Sequence, residues 1–201
     1  MAVHHGAAAL GLVGAMPSGP GIISDELIAS IAKTVPPPVA TFLLTSEQST
    51  GNIIAHVLRA GTNTVQIVDE LAEGSYKEIK CKLPAVKIVQ VIHVTTDASI
   101  EQAISIAADV DALLLDSGNP IAAIKILGGT GLTHNWEISR EIVKAVNIPV
   151  FLAGGLNAAN VKQAIETVKP FAVDVCSGVR TRGKLDKSKL NEFIEAVNRA
   201  A

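Results

Sequence analysis

Asp111-Ala112-Leu113-Leu114-Leu115-Asp116-Ser117 sets three consecutive leucines between two carboxylates. A strand that is apolar at successive positions has no wet face, which is the pattern of a parallel strand covered on both sides rather than of a half-exposed hairpin. Six further runs share it, at 8–13, 39–44, 64–68, 87–94, 150–153 and 171–175. Between the runs, apolar residues recur at helical spacing. The sets are Ile53, Ile54, Val57 and Leu58; Ile100, Ala103, Ile104 and Ala107; Val161, Ala164, Ile165 and Val168; and Leu190, Phe193, Ile194 and Val197. Each is the stripe that an amphipathic helix buries. Ser24 ahead of Asp25 and Glu26 predicts the start of another helix, since its side-chain oxygen and the early negative charges suit the free N–H groups there. Pro36, Pro37 and Pro38 end that helix. A short Lys-rich helix is expected within 74–83.

Strands that alternate with helices imply right-handed crossovers and a parallel sheet. The strand centres recur roughly every 25 residues, the repeat of a (β/α)8 barrel of the TIM type. An open doubly wound sheet would want a glycine fingerprint after its first strand, and Gly11-Leu12-Val13-Gly14 does not supply one. The expectation is therefore an α/β (β/α)8 barrel, residues 1–201 forming one domain. Its first strand is expected about twelve residues ahead of Met1. That would leave the runs at 8–13 and 171–175 as unpaired edges.

The chain has 201 residues, of which 48% are hydrophobic and 18% charged, enough apolar surface to exclude disorder. A net charge of −2 with 3% aromatics provides neither phosphate attraction nor base stacking, so nucleic acid is not an expected partner. Cys81 and Cys176 are the only thiols, which suits a reducing compartment and makes the cytoplasm the expected location. The apolar stretch 6–16 is far shorter than the roughly 20 residues of a membrane span, and no Lys or Arg precedes it. It reads as a buried strand.

In a parallel barrel, reacting groups stand at the carboxyl ends of the strands. Asp116 ends its strand on the same face as Leu114 and would point into the barrel mouth. A partly desolvated carboxyl there suits a general acid, although an Asp just past a strand also caps loops. Gly154 and Gly155 follow the 150–153 run, and Cys176, Ser177 and Gly178 follow the next. Glycines at two consecutive strand ends let backbone N–H groups approach an anion, and these last loops are where barrels bind phosphate. The plainer reading is tight turns. Gly128-Gly129-Thr130-Gly131, ahead of Thr133-His134-Asn135-Trp136, suits a substrate cover or a chain reversal. His4 and His5 read as surface residues, His56 as helix packing, and His93 as a wall residue placed near enough to Asp116 to carry a proton. Cys176 reads as a small buried residue.

Taken in order, the run from Asp111 to Ser117, the segment from Gly128 to Trp136, Phe151-Leu152-Ala153-Gly154-Gly155-Leu156-Asn157 and Val173-Asp174-Val175-Cys176-Ser177-Gly178-Val179 resemble phosphoribosylanthranilate isomerase. The resemblance implies an aldose-to-ketose Amadori rearrangement in tryptophan biosynthesis, with a phosphosugar substrate, no cofactor, no membrane, and a monomer or homodimer. It implies that Asp116 protonates the furanose ring oxygen. It further implies that Gly154, Gly155, Ser177 and Gly178 hold phosphate and that Gly129 and Gly131 lie beside the substrate. The family's base is a Cys in a Lys-Ile-Cys-Gly motif on the first strand, which has no counterpart here. Its carboxylate-binding Arg falls where this chain has Gly21, and Leu132 replaces a basic residue common after the Gly-Thr-Gly segment. Little turnover is therefore expected from residues 1–201 alone.

Overall fold

The computed structural model describes residues 1–17, 21–117 and 134–200. Seven parallel strands run in chain order across one sheet: β1 (Ala9–Val13), β2 (Ala40–Thr45), β3 (Thr64–Ile67), β4 (Lys87–His93), β5 (Ala112–Asp116), β6 (Val150–Leu152) and β7 (Ala172–Val173). The helices between and after them are α1 (Asp25–Thr34), α2 (Thr50–Ala60), α3 (Tyr76–Lys82), α4 (Ala98–Ala107), α5 (Trp136–Ala145), α6 (Val161–Val168) and α7 (Lys187–Asn198). This is the curled sheet of a (β/α)8 barrel, with seven of its strands among the described residues. A small antiparallel hairpin, β8 (Arg180–Thr181) with β9 (Lys184–Leu185), was not legible as strands because each arm is two residues long.

Strand alternation sorts the side chains into two layers. Ile67, Ile88, Ile92, Leu113, Leu115 and Leu152 point outward under the helices and are fully buried. Each such side chain stabilises the fold by about 1.5–3 kcal/mol. Val68, Val89, Val91, Ala112, Leu114 and Ala153 form a second, smaller cluster, against which Phe42, Leu44 and Phe151 pack. The Phe42 and Phe151 rings lie 6.1 Å apart. Leu114 therefore faces the interior, and Asp116, two residues on, shares that face.

Local signals act as the sequence implies. Ser24 accepts a hydrogen bond from the Leu27 N–H at 3.3 Å. Ser75 and Glu78 form a reciprocal capping box that starts the short α3. Leu58 and Ile104, assigned above to buried stripes, are exposed, since a helix resting on a sheet buries a narrower face than their patterns suggest. The N-terminal strand is also less buried than expected. Ala9 and Gly11 are exposed because β1 pairs only with β2 among the described residues, and β7 pairs only with β6. No described helix is long and apolar enough to cross a membrane.

Candidate active site

Asp116 closes β5 in register with His93 at the end of β4. It is 9% exposed, and its Oδ1 accepts from the Ser117 N–H at 2.7 Å. Burial pushes its pKa up against that hydrogen bond and the nearby His93. A cavity at the carboxyl end of β5, β6 and β7 is lined by Asp116, Gly154, Gly155, Asp174, Cys176 and Ser177, among others. Four of the residues singled out above thus meet at one place: Asp116, Gly154, Gly155 and Ser177. Gly178 stands just behind them. Gly129 and Gly131 lie outside the described residues, as does Leu132.

Gly154 and Gly155 take φ of +83° and +63°, a left-handed pair that an L-residue adopts only at a cost. The loop is then pinned by Asn160, whose Nδ2 donates to the Gly155 carbonyl at 3.0 Å and whose Oδ1 accepts from the Asn157 N–H at 2.8 Å. Gly178, within a 3-10 turn at Ser177–Val179, has a different requirement. A Cβ there would run into the Leu156 carbonyl, so the loops after β6 and β7 touch backbone to backbone. Close packing of the two loops is thus the physical reason for this glycine.

Asp174 went unremarked as a functional group in the sequence, yet it obeys the same parity rule as Asp116. Ala172 of β7 pairs with the inward Phe151, and Asp174, the residue just past β7, has the same parity and lines the cavity, its N–H donating to the Leu152 carbonyl at 2.8 Å. Asp174 is exposed to solvent at the rim of the cavity. Partial desolvation by the neighbouring protein, together with repulsion from Asp116, pushes its pKa up to about 6. Two like-charged groups in one cavity disfavour double ionisation.

The other titratable groups are sorted by their partners. His93 Nε2 bonds to the Val68 carbonyl at 2.9 Å, while its buried Nδ1 has no partner among the described residues. His56 is more than packing. It is 3% exposed and bridges Thr45 Oγ1 at 2.9 Å and Asp25 Oδ1 at 3.0 Å, tying α1 and α2 to β2. Cys176 is not simply buried: it lines the cavity, where burial raises its pKa despite a hydrogen bond from Arg180. That guanidinium also rests 3.3 Å from where a Cβ on Gly21 would stand. His134, quoted in the sequence but given no role, lies beside Gly154.

These features agree with what the chain is similar to. Residues 2–196 match the family model for N-(5'-phosphoribosyl)anthranilate (PRA) isomerase. N-(5'-phosphoribosyl)anthranilate isomerase of Methanocella arvoryzae is 36% identical over 193 residues, which cover 96% of this chain and 88% of that protein. The crystal structure of phosphoribosyl anthranilate isomerase from Thermotoga maritima superposes with a TM-score of 0.79 at 28% identity, covering 98% of this chain and 91% of that one. A phosphoribosyl anthranilate isomerase in complex with reduced 1-(o-carboxyphenylamino)-1-deoxyribulose 5-phosphate gives 0.76 at 26% identity, with 98% and 91% covered. The parallel barrel sheet, the carboxylate ending β5 and the glycine loops ending β6 and β7 are accordingly features of a chain that belongs to the N-(5'-phosphoribosyl)anthranilate isomerase family.

Proposed function

We propose that the protein isomerises N-(5'-phosphoribosyl)anthranilate to the corresponding carboxyphenylamino deoxyribulose phosphate. The observation that carries this reading is the buried Asp116 carboxyl facing the glycine loops across one cavity. A protonated Asp116 gives its proton to the ring oxygen, the C1–O bond breaks, and the anilino nitrogen lone pair forms a protonated Schiff base. A base then takes the C2 proton, and the electron pair moves to nitrogen to give an enolamine, which relaxes to the ketone. Asp174 is the second carboxylate in the cavity and the described group placed to take that proton. Backbone N–H groups at Gly154, Gly155, Ser177 and Gly178 serve the phosphate, because glycine leaves the main chain open to an anion. Residues 1–201 act as one domain, in the cytoplasm, as a monomer or homodimer.

The test is loss of phosphoribosylanthranilate fluorescence. Asp116→Asn keeps the shape and removes the acid, so turnover is expected to fall by at least about 100-fold while substrate still binds. Unchanged turnover would refute the assignment. Phosphosugar binding that persists with no turnover in the unaltered chain would favour a binding protein built on the same barrel.

A further inference from the structure

The cavity beside Asp116 is lined by two carboxylates, those of Asp116 and Asp174, and by no basic side chain among the described residues. A phosphosugar joined to an anthranilate brings a phosphate and a carboxylate of its own. The glycine loops offer N–H groups to the phosphate, but nothing in the lining answers the carboxylate.

Arg180, the first residue of β8, stands just behind that lining. Its guanidinium hydrogen-bonds Cys176, which lines the cavity, and its Nη1 donates to the Gly183 carbonyl at 2.9 Å. On the other flank, Nη2 is 3.3 Å from where a Cβ on Gly21 would stand. Gly21 precedes Ile22, which bridges to Val13 at the end of β1, so the side chain crosses from the end of β7 to the β1 side of the mouth. The hairpin and α7 fix where it starts: Arg180 pairs with Leu185, and its carbonyl accepts from Lys189 Nζ at 3.0 Å. A guanidinium anchored in this way loses little freedom when it meets a ligand.

Its charge has no match within the described protein. No described carboxylate pairs with it, and the ionisation of Asp116 and Asp174 is set by burial and by other neighbours. Its remaining N–H groups have no acceptor among the described residues, and none of them is sealed from solvent. A half-buried, planar fork of donors without a carboxylate is complementary to one that a ligand supplies.

We propose that Arg180 binds the carboxylate of the substrate's anthranilate ring and thereby selects this substrate from other phosphosugars. The inference rests on the isomerase reading. The carboxylate keeps its charge throughout the rearrangement, so the contact holds substrate and transition state alike and acts on KM rather than on kcat.

Titration calorimetry with two ligands tests it: the reduced carboxyphenylamino deoxyribulose phosphate, and its counterpart made from aniline, which lacks the carboxylate. Arg180→Gln is expected to weaken the first by about 10–100-fold and to leave the second unchanged, and Arg180→Lys to recover part of the loss, since it keeps the charge but not the fork. In turnover, Arg180→Gln is expected to raise KM by a similar factor with kcat within about threefold. Equal weakening of both ligands would overturn the proposal, because it would place Arg180 on the phosphate or in the fold, and so would no weakening of either. If Arg180→Gln does not fold, Arg180→Lys carries the same comparison: selective weakening of the carboxylate ligand supports the proposal, and equal or no weakening overturns it. An unaltered protein that binds neither ligand would defeat the isomerase reading and this inference with it, whereas an unaltered protein that binds both and a variant that does not distinguish them would defeat the inference alone.

Discussion

Gly178→Ala tests whether the spacing of the two glycine loops is set by backbone contact. The added methyl meets the Leu156 carbonyl oxygen, with the carbonyl carbon at 3.0 Å and the Asn157 Cα at 3.1 Å. All three are main-chain atoms, so no side chain can swing aside, and relief requires the loops after β6 and β7 to part. Overpacking of this kind costs up to about 3 kcal/mol. In a chain of this size each kcal/mol lowers Tm by about 2–4 °C, so the variant should melt lower by as much as roughly 6–12 °C. Misplacement near 1 Å is also enough to weaken a preorganised site by tenfold or more, and affinity for the phosphosugar should fall accordingly. Gly61→Ala is the control. Its φ is +64° with nothing within 4 Å of the added methyl, so it should cost about 1 kcal/mol and leave affinity alone. Differential scanning calorimetry and titration calorimetry with a reduced product analogue measure both quantities. A Gly178→Ala protein that melts and binds like the unaltered one would refute the reasoning.

The carboxylate pair gives a signed pH effect. Because desolvation and the neighbouring Asp116 push the Asp174 pKa up to about 6 in the fold, against 3.8 for an unperturbed Asp, the folded state binds the extra proton between those values. Stability therefore declines as pH rises through that window, and Asp174→Asn should flatten the decline in urea melts taken from pH 4 to 7. Asp116→Asn removes one source of repulsion and should lower the Asp174 midpoint by NMR, though not to 3.8, since partial desolvation remains. His56→Ala cuts the bonds to Thr45 and Asp25 and leaves a void between α1, α2 and β2, for an expected loss of about 3 kcal/mol in denaturant titration. Asp174→Asn should lower turnover by at least about 100-fold in the fluorescence assay, because it removes the group that takes the C2 proton; unchanged turnover would exclude Asp174 as the base.

The sequence by itself determined the order and class of the elements. Continuous apolar runs can satisfy their surfaces only in covered parallel strands, and the repeat near 25 residues leaves room for one helix per strand. Asp116 was legible for the same reason, because period two places it on the face of Leu114. Asp174 obeyed that rule too, but β7 holds only two paired residues, too few for its alternation to stand out. The rest was decided by approach between segments distant in the chain. Gly178 is required by the Leu156 carbonyl, and His56 is claimed by Asp25 and Thr45. Local pattern encodes which face a side chain takes. Which polar atoms end up about 3 Å apart depends on how the sheet curls, and that is settled only when the strands are packed together.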